Sequence, residues 1–159
     1  MTAIANQVVW GDGRTPTDGQ VMGALALEAI ALPGETFERY ENYATVFKSR
    51  NRIIVGRFCG RDYLDKPNPG HLHWTKIARS QLLQLDQLDL LFSYLFVSPE
   101  IDSTRGRLWH VPVAIVKERV FPREPNKTQN DYDVVIKEEN NLMYLYGKDI
   151  SEYSSTFPT

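Results

Sequence analysis

The spacing of apolar positions predicts a chain of short strands and short helices. Residues 21–32 are apolar and ambiguous, because Ala and Leu favour a helix while Leu25 and Leu27 alternate as in a strand; Pro33-Gly34 ends the segment either way. Phe37, Tyr40, Ala44 and Phe47 fall at helical spacing behind a capping Thr36, which predicts a short amphipathic helix over 35–47. Residues 52–63 read as a strand, with Ile53, Val55 and Phe58 alternating and Gly56 and Gly60 marking a bulge or a close backbone approach. Two prolines and a glycine make 65–70 a loop. Leu82, Leu85, Leu88 and Leu91 then predict a helix over 75–91, and the apolar run on to Val97 is either its continuation or a separate buried strand. Past a turn-rich connection at 99–106, residues 108–121 predict a strand that starts at a sheet edge with Pro112. A hairpin follows, with strands over 134–137 and 142–146 around Asn140 and Asn141, a pair suited to positive φ.

These elements predict an α+β fold: a mostly antiparallel, partly barrel-like sheet with one or two helices packed against it. At 159 residues the chain is long enough to bury a core without metal or disulfide help, and one domain is expected. Its parts divide into an irregular N-terminal arm over 1–20, a globular unit over 21–150 and a C-terminal tail over 151–159, whose Tyr153 and Phe157 dock on the domain.

Composition narrows the class. With 42% hydrophobic and 24% charged residues, the chain falls in the globular range. No apolar run reaches membrane length and no leader pattern is evident, so a soluble, intracellular protein, cytoplasmic or nuclear, is expected. A single cysteine forms no internal disulfide, in keeping with a reducing compartment.

The net charge of −2 hides a segregation. Residues 1–47 carry −4, 48–79 carry +6, 80–104 carry −4, 105–127 carry +4 and 128–159 carry −4. Alternating blocks of this kind either neutralise one another across neighbouring strands or build a bipolar surface. Within 48–79 the basic residues are interleaved with Phe58, Tyr63 and Trp74. Cations that meet phosphates beside aromatic rings that stack on bases are what a single nucleic acid strand requires. Arg57, Arg61, Tyr63, Lys66, Trp74, Lys76 and Arg79 are therefore the expected contact residues.

Further patterns suggest chemistry. His71-Leu72-His73 places two imidazoles at i and i+2, one face of a strand, where both could bind one divalent metal. The triplet resembles the motif of the HUH nucleases, which pair such a metal with a tyrosine nucleophile. Tyr63-Leu64-Asp65-Lys66 resembles their tyrosine-x-x-lysine element, although here it precedes the histidines. That resemblance implies a metal-dependent phosphodiesterase using His71, His73 and Tyr63. His73-Trp74-Thr75 is similar to one half of the paired histidine-x-threonine motif of 2H phosphoesterases; His110, followed by Val111-Pro112, does not supply the other half. Residues 92–98 and 111–117 resemble the late strands of bromo-adjacent homology domains, which are chromatin-associated. Cys59, near Arg57 and Arg61, is either an activated thiol or strand packing. The glycines follow neither the phosphate-loop nor the dinucleotide spacing, and no cofactor is expected.

The expected function is thus a non-catalytic binding or assembly module that contacts nucleic acid or a nucleoprotein. The alternatives are a purely protein–protein structural subunit of a larger complex, such as a virion, and the metal-dependent nuclease.

Overall fold

Ile53, Ile54 and Val55 lie in succession and are each at most 1% exposed, so the strand that holds them is covered on both faces. In the computed structural model, which describes residues 18–40, 45–58, 71–102, 105–125 and 131–157, this strand is β3 (Arg52–Phe58). It lies within a six-stranded sheet, with β1 (Glu38–Arg39) and β2 (Val46–Lys48) on one side. On the other are β5 (Leu91–Asp102), β6 (Arg105–Pro112) and β10 (Ser154–Phe157). β3 and β5 run parallel, and every other pair in this sheet is antiparallel. A four-stranded antiparallel sheet is ordered β4 (His71–Ala78), β7 (Asp131–Glu139), β8 (Leu142–Leu145) and β9 (Lys148–Asp149).

Alternation along β5 separates two cores. Phe92, Tyr94 and Phe96 form a stacked ladder, with centroids 5.5 and 5.9 Å apart. They share one core with Trp109 and with Val134, Ile136 and Leu145 of the smaller sheet. Two helices close that core: α2 (Arg79–Asp86) through Leu82 and Leu85, and α3 (Val113–Arg119) through Ile115 and Val116. A Lys117–Asp86 ion pair joins the two. Leu95 and Val97 point the other way, beneath α1 (Asp18–Ile30). Its buried face is made of Met22, Ala24, Ala26 and Leu27, small enough to bring the helix close; a Cβ at Gly23 would stand 2.5 Å from the Phe58 ring.

The α+β class and the mostly antiparallel pairing are as expected. The sheets are two and open, with no closure into a barrel, and three α-helices occur among the described residues. Several local expectations are resolved or change. The ambiguous 21–32 segment is helical. The helix expected over 35–47 is replaced by β1 and β2, paired Glu38 with Lys48 and Arg39 with Phe47. Pairing of Val46 with Val55 gives these side chains a place in the sheet, which outweighs their helical spacing. The helix expected over 75–91 is only α2: β4 occupies its first turn, and Asp89, at φ 55°, turns the chain into β5.

The strand expected over 108–121 ends at Pro112. With φ −58° and no N–H to donate, this proline suits the residue before α3, and Ile115 and Val116 are buried side by side on a helix. The 139–142 hairpin is as expected, with Asn140 and Asn141 at φ 53° and 64°. The tail docks as β10: Phe157, 2% exposed, pairs with Gly106.

Candidate functional site

The expected contact residues are distributed over both sheets. Arg57 is half-buried on β3, opposite Phe96, and its positive charge acts on the Tyr94 hydroxyl. Arg61, Tyr63, Lys66 and Cys59 lie outside the described residues. β4 terminates the four-stranded sheet, and its backbone register places Trp74 opposite Val134, His73 opposite Val135 and His71 opposite Lys137. Lys76 falls in an irregular step of that ladder, between Trp74 and Ile77. Arg79, exposed to solvent, opens α2. Among the described residues no group of three or more His, Cys, Asp or Glu gathers to hold a metal.

The register continues onto a surface that the sequence reading did not single out. Lys137 is opposite Tyr144 in the β7–β8 ladder, so the outer face of the smaller sheet carries Val135, Lys137 and Tyr144 together. These residues, with Glu139 and Tyr146, line a cavity of about 390 Å³. Tyr146 donates its hydroxyl to the Asp133 carbonyl at 2.7 Å, and the Arg123 guanidinium lies 3.9 Å from its ring centroid. Burial raises the Tyr146 pKa, so the hydroxyl stays protonated. Lys137 approaches Glu139 at 3.5 Å, both more than half exposed, a pairing worth little in solvent.

A second polar site sits on the opposite side of the larger sheet. Arg52, Ser93 and His110 are each two residues from a side chain packed beneath α1 (Ile54, Leu95 and Leu108), so all three share that face. α1 stops short of them at Ile30, whose carbonyl accepts from Arg52 Nη2 at 3.0 Å; a cation there suits a helix C-terminus. The chain then turns at Gly34, φ 77°, and returns Glu35 to the same guanidinium. Arg52 Nε donates to Glu35 Oε2 at 2.8 Å, and Nη2 donates to Oε1. Ser49 Oγ adds a bond to Oε2 at 2.8 Å, and the Leu32 amide one to Oε1 at 3.1 Å. Hydrogen bonding by Arg52 leads the causes that lower the Glu35 pKa to about 2, from an ordinary 4.5.

Beside this ion pair, Ser93 Oγ lies 2.6 Å from His110 Nε2. Burial, aided by the Arg52 charge, lowers the His110 pKa to about 4, so the imidazole is neutral at pH 7. A serine on a neutral histidine has the distance of a nucleophile and its base. The depressed basicity opposes that role, because burial and then the Arg52 charge push protons off the ring where a triad acid would draw them on.

Compared with known proteins, the chain matches no family model, no curated protein and no solved structure. No helix among the described residues is long and apolar enough to cross a membrane.

Proposed function

We propose that the chain is a non-catalytic binding module that takes nucleic acid, alone or in a nucleoprotein, against the outer face of the four-stranded sheet. The observation that carries this reading is that the half-buried Tyr144 and Tyr146 line one cavity with Lys137, while Arg123 lies against the Tyr146 ring. A sheet face with accessible rings and flanking cations suits stacked bases and their phosphates. β4 extends this face as the sheet's terminal strand, and the segment entering it carries Arg61 and Lys66 of the basic block.

Titration of labelled single-stranded and duplex oligonucleotides across salt concentration tests the proposal. With about four phosphates neutralised, log affinity for a single strand falls against log salt with a slope of roughly −3. Tyr144→Ala weakens binding about tenfold, as loss of one stacked base requires. Absence of salt-dependent affinity for either DNA or RNA ends the reading.

A protein–protein role, in which the chain is a structural subunit, draws on different features. Leu91 and Leu32 are 72% and 60% exposed, and among the described residues four strands, β1, β10, β4 and β9, end their sheets. Light scattering separates the two: concentration-dependent assembly without nucleic acid favours the subunit.

A further inference from the structure

The cavity beyond the end of α1 lies on the other sheet from the proposed nucleic acid surface, and nothing in that reading uses it. Open to solvent on one side, it measures about 340 Å³, at the small end of ligand pockets. Leu91, Phe92, Pro112 and Tyr153 give it apolar walls, and its polar groups are Arg52, Ser93 and His110. We infer that this cavity binds a small uncharged molecule, an apolar ring or short chain bearing one hydroxyl group, anchored on the Ser93–His110 pair.

The class follows from how each polar group is already engaged. Among the described residues Arg52 is the only formal charge in the lining, and Glu35 takes up its Nε and Nη2 from behind. With side chains 12% and 10% exposed, the two form a neutral unit, so an anionic ligand gains little attraction and still loses its hydration. A cationic ligand meets Arg52 itself. His110, neutral at pH 7, adds no charge.

What remains is the Ser93–His110 hydrogen bond, which runs in either direction with the imidazole tautomer. When Ser93 donates to Nε2, its oxygen keeps lone pairs to accept a ligand O–H. When Nε2–H donates to Ser93, the serine proton is free to donate to a ligand oxygen. A hydroxyl can answer both arrangements because it is both donor and acceptor, whereas a carboxylate answers only one. The apolar walls then supply area for a ring, as small-molecule sites require.

Phenol and benzyl alcohol are the probes, titrated into the full chain by two-dimensional NMR, with benzoate and benzylammonium as charged controls of similar size. Both neutral probes saturate shifts at Ser93, His110 and Tyr153 with a Kd on the order of 1 mM, a reasonable value for so few heavy atoms. The charged controls bind at least fivefold more weakly. Ser93→Ala weakens phenol at least fivefold, and Leu91→Trp, placed on the 72% exposed rim residue, blocks both probes without touching the half-buried pair. If Ser93→Ala fails to fold, Leu91→Trp decides alone. Benzoate binding as tightly as phenol overturns the inference in favour of an anion site at Arg52. An unchanged Kd in the folded Ser93→Ala variant, or in Leu91→Trp, overturns it, as does no saturable shift at these residues. Stable acylation of Ser93 by p-nitrophenyl acetate would show a nucleophile instead and also overturn it.

Discussion

Glu35→Gln tests the ionic node that ties the end of α1 to the start of β3. The substitution keeps the side chain's shape and removes its charge. Glu35 falls from 4.5 to about 2 in the folded chain. At about 1.4 kcal/mol per unit, that displacement corresponds to roughly 3 kcal/mol of folding stability at neutral pH. The side chains are only 12% and 10% exposed, so solvent screening removes a minor part. A glutamine carbonyl still accepts one bond from Arg52, which sets the expected loss at about 2–3 kcal/mol. The sign of the pH dependence is fixed. Because the folded pKa is depressed, the stability is complete above 4.5 and is lost as pH falls towards 2. Urea denaturation of both proteins at steps from pH 7 to pH 2.5 reads this directly. The wild-type midpoint exceeds that of the variant by about 1 M at pH 7, and the difference shrinks steadily below pH 4.5. A gap that stays constant from pH 6 to pH 3, or one under about 0.5 kcal/mol at pH 7, refutes the assignment of stability to this pair.

Three other outcomes follow from the packing. His110, held near 4 against an ordinary 6.5, takes up its proton earlier in the unfolded chain, so stability falls between pH 6.5 and 4; His110→Gln abolishes that segment of the pH–stability curve. Among the described residues the Tyr94 hydroxyl, on a side chain 1% exposed, has no hydrogen-bond partner. Tyr94→Phe keeps the ring stack and raises stability by up to about 1 kcal/mol in calorimetry, and a loss of that size would mean the hydroxyl is satisfied. Gly106→Ala sets a Cβ 2.2 Å from the Ser98 carbonyl oxygen and 2.7 Å from the Phe157 ring. Backbone cannot yield as a side chain does, so the variant loses at least about 2 kcal/mol and shows faster amide exchange in β10.

Where apolar spacing and turn chemistry agreed, the fold was legible. Asn140 and Asn141 announced their hairpin because few residues tolerate consecutive positive φ, and β3 announced itself by the alternation of Ile53 and Val55. Errors arose where one spacing served two structures. Leucines three apart at 82, 85, 88 and 91 suggested one helix, yet only Leu82 and Leu85 are buried on α2, and Leu91 already pairs with Arg52 in the sheet. Phe37 and Phe47, both buried, satisfied a helical pattern by coincidence of distance along the chain. In each case a partner strand remote in sequence decided the conformation, and single-chain periodicity holds no record of it.

The Ser93–His110 pair shows why a site can be harder to foresee than a fold. The residues are 17 apart, and neither has a distinctive neighbour. They meet because β5 and β6 pair Ser93 with Pro112 and Leu95 with His110, which makes serine and histidine diagonal neighbours on one face. A signal was available: once residues 91–102 are taken as a strand returning through a short turn, positions 93 and 110 fall within two residues of register. Taking 108–121 as one strand hid it, since Pro112 then marked a beginning and left His110 at an edge. Reading that proline as the end of β6 and the entry to α3 moves His110 into the sheet, next to Ser93. The same break leaves Pro112 as a wall of the cavity, so one misread punctuation mark concealed both the polar pair and the space it lines.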